Sequence, residues 1–233
     1  MKVADELMRD WPMATEMRKL ESRLWQQVQL QNLKTVLVTS ALRGEGKSTT
    51  VAYLATALAL NPSRRILAMD MDFRRPSVNS HFKAAPQAGL TEFLQGECSI
   101  EAAITKTELP GLDLILPAKG TPEPALLHNS GPLCDILQSL RASYDLIVLD
   151  TPALIPVPDA AQMIPLSDGV ILVVMAGVTP KHHLVRAREL CLAMGANILG
   201  LVVGNVQEAA PEYLDTSYYG YGDSKEETAR SRR

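Results

Sequence analysis

Thr35-Val36-Leu37-Val38-Thr39-Ser40-Ala41-Leu42-Arg43-Gly44-Glu45-Gly46-Lys47-Ser48-Thr49 is the stretch that decides the fold. It opens on an apolar, β-branched run, the composition of a buried strand. A glycine-rich turn follows, and residues 48–60, rich in Ala and Leu, read as a helix. A strand, a curled loop and a helix N-terminus in that order form an anion-binding device. The loop N–H groups converge, and the helix adds the positive end of its dipole. Gly44 and Gly46 permit the curled backbone and the close approach of a phosphate. Lys47 is spaced to reach β- and γ-phosphates, and the Ser48 hydroxyl to bind Mg²⁺. Ala41 stands where the general pattern G-x-x-x-x-G-K-[ST] has its first glycine.

Outward from this loop the same alternation repeats. Strands are expected over residues 65–69, 112–116, 146–149, 170–175 and 198–203, and helices over 133–141 and 181–194. The strand segments are nearly continuous apolar runs, which marks a sheet buried on both faces and therefore parallel. The expected fold is a doubly wound, mostly parallel α/β domain with helices on both faces. Its ligand belongs at the C-terminal ends of the strands. Asp70 and Asp150 stand at two such ends, beside the glycine loop. Before the domain, Met17, Leu20, Leu24 and Val28 line one face of a helix over residues 13–30. The expected organisation is an N-terminal helical extension (1–33), the α/β domain (34–211) and a mobile tail (212–233) that gains Gly, Ser and charge.

Bulk properties narrow the function classes. The chain has 233 residues, 46% hydrophobic, with a net charge of −3. That charge gives no reason to expect nucleic acid as a partner. Cys98, Cys134 and Cys191 are isolated, so neither a disulfide framework nor a zinc site is expected, and the simplest reading is a cytoplasmic protein. Apolar runs such as residues 170–175 are of strand length, so no direct membrane insertion is expected.

Three segments carry the chemistry. Asp150 closes an apolar strand and precedes Thr151-Pro152, the place of a second Mg²⁺ partner; a turn or cap aspartate is the plainer alternative. Asp70-Met71-Asp72-Phe73-Arg74-Arg75-Pro76 puts two carboxylates past a buried strand, where they can hold Mg²⁺ or accept a proton from an attacking hydroxyl. The arginines can pair with carboxylate or phosphate. Tyr213, Tyr218, Tyr219 and Tyr221 place four of the six tyrosines within nine residues of the tail. Such a cluster is either an aromatic docking segment or a set of phosphoacceptors. His81, His128, His182 and His183 show no ligand spacing and read as surface or capping residues.

These segments together resemble the bacterial tyrosine kinases of capsule and exopolysaccharide assembly, relatives of the septum-site and chromosome-partitioning ATPases. The resemblance runs from about Val36 to the tail. It rests on Gly44-Glu45-Gly46-Lys47-Ser48-Thr49, on residues 66–76 through Asp70-Met71-Asp72, on Gly89-Leu90-Thr91-Glu92-Phe93-Leu94, on Leu116-Pro117-Ala118, on Tyr144-Asp145 through Asp150-Thr151-Pro152, and on the tyrosine cluster. It implies the P-loop NTPase fold, ATP and Mg²⁺ as cofactors, and phosphorylation of Tyr213, Tyr218, Tyr219 and Tyr221 in trans within a ring-like homo-oligomer. It implies catalytic roles for Lys47, Asp70 and Asp72, and a metal site of Ser48, Asp70 and Asp150. Nucleotide contacts would come from Arg43, Gly44, Glu45, Gly46, Lys47, Ser48, Thr49 and Asn205. A membrane polysaccharide co-polymerase, as a separate activating chain, would recruit the kinase to the inner face of the membrane.

Several positions depart from the patterns of the family and its relatives. Leu42 occupies the place of the signature lysine of the partitioning ATPases, Arg43 that of a proline, and Ala153 that of a second proline after Thr151. Glu16, Lys19 and Ser22 take the spacing of the E-x-x-R-x-x-R oligomer contact. An ATP-driven switch and an inactive ATP-binding scaffold are the alternatives to a kinase.

Overall fold

In the computed structural model, the described residues are 3, 5, 7, 12–118 and 130–206. A seven-stranded sheet forms the centre, in the order β3-β4-β2-β5-β1-β6-β7. Its strands are β1 (Thr35–Ser40), β2 (Ile66–Asp70), β3 (Ile104–Lys106), β4 (Leu112–Ile115), β5 (Leu146–Asp150), β6 (Gly169–Met175) and β7 (Ile198–Gly204). All neighbours pair in parallel except β3, which runs antiparallel to β4 at one edge. The expected doubly wound, mostly parallel sheet is what forms.

Alternate residues of each central strand feed two separate cores. Leu37, Leu67, Met69, Ile147, Leu149, Val170 and Leu172 face one side, where they meet α6 (Ser130–Leu140), a 3₁₀ helix (Pro158–Leu166) and α7 (Lys181–Ala193). Val36, Val38, Ile66, Ala68, Leu146, Val148, Ile171 and Val173 face the other, under α1 (Pro12–Gln31) and α2 (Lys47–Ala59). Both faces being apolar is why these strands are continuous hydrophobic runs. Helix α1 docks through Leu24 and Val28. Arg64 clamps it further: its guanidinium lies 3.9 Å from the Trp25 ring and pairs with Glu21. The apolar stripe of α1 is therefore a packing face.

Three short helices, α3 (Val78–Phe82), α4 (Leu90–Leu94) and α5 (Ile100–Ala103), together with β3 and the 3₁₀ helix, have no counterpart in the sequence reading. Elements of three to five residues complete no apolar period, and the 3₁₀ stretch carries Pro165. Among the described residues no helix is long and apolar enough to cross a membrane. The expected tail, residues 212–233, and its tyrosines lie outside the described residues, as do residues 207–211 of the expected domain.

Candidate phosphate and metal site

Strand β1 hands the chain to the glycine loop at the C-terminal edge of the sheet. Its central position, between β5 and β6, places the loop beside the end of β5. Gly44 and Gly46 adopt φ of 79° and 87°, the left-handed region that favours glycine. A Cβ on either would meet nothing within 4 Å, so the space before the loop is open to a ligand. The Ser40 hydroxyl donates to the Leu42 carbonyl at 2.6 Å, which fixes the entry to the loop. Lys47 opens α2 and is 8% exposed.

Glu45 resolves an apparent conflict. A carboxylate in a phosphate-binding loop would repel its ligand, but this one is buried. One oxygen accepts the Leu42 N–H at 2.8 Å and the other accepts the Thr179 hydroxyl. Thr179 in turn accepts the Met175 N–H at 2.9 Å. The Glu45 side chain thus braces the loop against the β6–α7 turn, and any nucleotide contact from this residue falls to its backbone.

Asp70 and Asp150 end adjacent strands and are paired in register. Asp70 holds the following loop: it accepts N–H groups from Asp72 (3.0 Å), Ser77 (3.0 Å) and Val78 (3.1 Å). Burial drives its carboxyl up to about 6 against those three bonds, which pull the other way. Asp150 lies behind the glycine loop and accepts the Ser48 hydroxyl at 2.5 Å. Its second oxygen, Oδ1, is buried with no hydrogen-bond partner. Burial first, then the Asp70 charge, pushes the Asp150 carboxyl up to about 8.

A buried carboxylate oxygen with no donor, next to a hydroxyl at a phosphate loop, is suited to a hard cation. The Asp150 carboxylate and the Ser48 hydroxyl fit Mg²⁺, whereas both oxygens of Asp70, the third residue expected at the metal, already accept backbone N–H groups. Among the described residues no cluster of three or more His, Cys, Asp or Glu is arranged for a metal.

A cavity of about 410 Å³ joins the two motifs. Arg43, Gly44, Gly46, Lys47, Ser48 and Thr49 line it together with Asp72, Arg74, Arg75, Ser77 and His81. Two of these were not singled out by sequence. Ser77 donates its hydroxyl to Ser48 Oγ at 2.7 Å, linking the loops directly. Its signal is a serine just ahead of a helix start. His81, read as a surface residue, lines the cavity instead because α3 follows the Asp70–Ser77 loop at once. Asn205 does not line the cavity. It adopts φ 59° after β7 and donates from Nδ2 to the Ala176 carbonyl at 3.2 Å.

Known proteins resemble this chain in sequence and in fold. A family model described as an AAA domain matches residues 33–180. The tyrosine-protein kinase YwqD of Bacillus subtilis (strain 168) is 32% identical over 192 residues, 82% of this chain and 80% of that protein. The tyrosine-protein kinase CpsD of Streptococcus agalactiae is 32% identical over 193 residues, 82% of this chain and 84% of its own length. Among solved structures, the VpsO kinase domain superposes with a TM-score of 0.74 at 29% identity, covering 82% of this chain and 94% of that one.

Proposed function

This chain belongs to the bacterial tyrosine-kinase family of P-loop ATPases, and on that premise we propose that it is an ATP- and Mg²⁺-dependent autokinase of its own C-terminal tyrosines. The observation that carries the reading is the shared cavity, which Lys47, Ser48 and Asp72 all line. Phosphoryl transfer demands positioning and charge neutralisation more than covalent chemistry. Ser48 and Asp150 would hold Mg²⁺, which would supply charge neutralisation at the phosphates. Lys47 draws the β- and γ-phosphates into the loop. A tyrosine oxygen attacks the γ-phosphorus as the bond to the β–γ bridging oxygen breaks, and ADP leaves. Asp72, half-buried at the cavity wall, takes the phenolic proton. Asp70 keeps Asp72 in place through the N–H bond it accepts. Asn205, tied to the turn that Glu45 braces, would contact the adenine.

The acceptors are Tyr213, Tyr218, Tyr219 and Tyr221, presented by a neighbouring copy in a homo-oligomer. A tethered acceptor is locally concentrated, so weak contacts suffice. A membrane co-polymerase of polysaccharide synthesis, as a separate chain, would activate the kinase and bring it to the membrane. Purified protein with Mg-ATP should accumulate phosphotyrosine, and Lys47→Met should abolish it. ATP hydrolysis without phosphotyrosine, with the membrane partner present, would instead support an ATP-driven switch.

A further inference from the structure

The cavity lining is basic: Arg43, Lys47, Arg74 and Arg75 line it, and Asp72 is the one carboxylate among the lining residues. Arg43 and Arg75 are exposed, and none of the ion pairs among the described residues uses them. Asp72 does not take up the Arg75 charge: it accepts the backbone N–H of Arg75 at 3.1 Å. On the autokinase reading nucleotide phosphates engage Lys47 and the loop N–H groups, which leaves the exposed Arg43 and Arg75 for the acceptor.

The four candidate acceptors differ in the charge beside them. Tyr213 has Glu212 immediately before it and Asp215 two residues after. Tyr218 and Tyr219 have no carboxylate within two residues, and Tyr221 has only Asp223. We propose that Arg75 and Arg43, both exposed at this cavity, read carboxylates flanking the acceptor, so that the site selects an acidic tyrosine peptide and Tyr213 is the preferred acceptor of the tail. This rests on the autokinase reading for its purpose but not for its test. An exposed ion pair contributes only a factor of roughly two to five. That is enough to rank acceptors that share one tether.

The test is peptide binding to the full chain in Mg-ADP, read by fluorescence anisotropy. The probe is a fluorescein-labelled peptide of residues 209–217. At low salt the Glu212→Gln/Asp215→Asn peptide should bind about threefold to tenfold more weakly. The contrast should shrink in 0.5 M NaCl, where screening acts over a few ångströms. An Arg75→Glu chain should instead favour a Glu212→Lys peptide. Equal binding of native and neutral peptides, no binding of either, or equal binding of a scrambled peptide of the same charge would each overturn the proposal. Because binding is read without turnover, a charge-selective mouth on a chain that makes no phosphotyrosine would sink the autokinase reading alone.

Discussion

Thr179 and Glu45, 134 positions apart, share a hydrogen bond that ties the β6–α7 turn to the phosphate loop. The bond gives a buried carboxylate its second partner and connects the loop to the turn that also holds Asn205. Thr179→Val removes the donor and leaves a buried acceptor unsatisfied. Such a loss costs about 1–3 kcal/mol. The variant should unfold at lower denaturant and show a raised KM for ATP, and Thr179→Ser should restore both.

Asp70 and Asp72 have separable tasks. The two Asp70 oxygens accept three backbone N–H groups. In Asp70→Asn one oxygen becomes an NH₂ that faces N–H donors. Hydrogen exchange at Asp72, Ser77 and Val78 should accelerate as the loop loosens. Asp72→Asn should leave that protection intact while lowering turnover at least tenfold, consistent with the usual size of general-base catalysis.

The metal-free protein should lose stability as pH rises. The folded-state values of about 6 for Asp70 and about 8 for Asp150 lie above the ordinary 3.8. Between pH 4 and 8 the folded state therefore binds more protons than the unfolded chain, and stability falls as those protons leave. A cation favours the ionised carboxylate. Mg-ADP should thus raise Tm more at pH 8 than at pH 6. Asp150→Asn should raise the metal-free Tm at pH 8 and abolish activity.

Two glycines should respond to substitution for different reasons. A Cβ at Gly89 would sit 1.9 Å from the Leu116 carbonyl oxygen, against backbone that cannot yield cheaply. Gly89→Ala should cost more than about 3 kcal/mol, in the range of severe core disruption. Gly44→Ala has open space but a left-handed φ of 79°. It should cost about 1–2 kcal/mol from that conformation and weaken ATP binding by crowding the phosphate.

How much of this was legible in sequence follows from where the signal lies. Strands β2, β4, β5 and β6 and helices α1, α2, α6 and α7 were readable, because burial on both sheet faces writes continuous apolar runs and docked helices write a period; β7 was readable from its apolar run although, at the sheet edge, Leu201 and Val203 are about half exposed. Lys47, Ser48 and Asp150 were readable because a phosphate loop and a strand-end acid have fixed spacing. Ser77, His81 and the inward turn of Glu45 were not. Each depends on a contact between segments distant in sequence: Ser77 with Ser48, α3 with the cavity, Glu45 with Thr179. Spacing within one segment carries no trace of them. The sheet edge at β3 was missed because three residues, Ile104-Thr105-Lys106, pair only through their neighbour β4.

The most direct test of transfer between copies mixes two chains. One is a tagged Lys47→Met chain with its tail intact. The other keeps Lys47 but carries phenylalanine at Tyr213, Tyr218, Tyr219 and Tyr221. After incubation with Mg-ATP and the membrane partner, the tail of the tagged chain is read by peptide mass spectrometry. Phosphate on its tyrosines, dependent on Lys47 of the other copy, is the predicted result. An unmodified tail in a mixture that hydrolyses ATP would contradict the account.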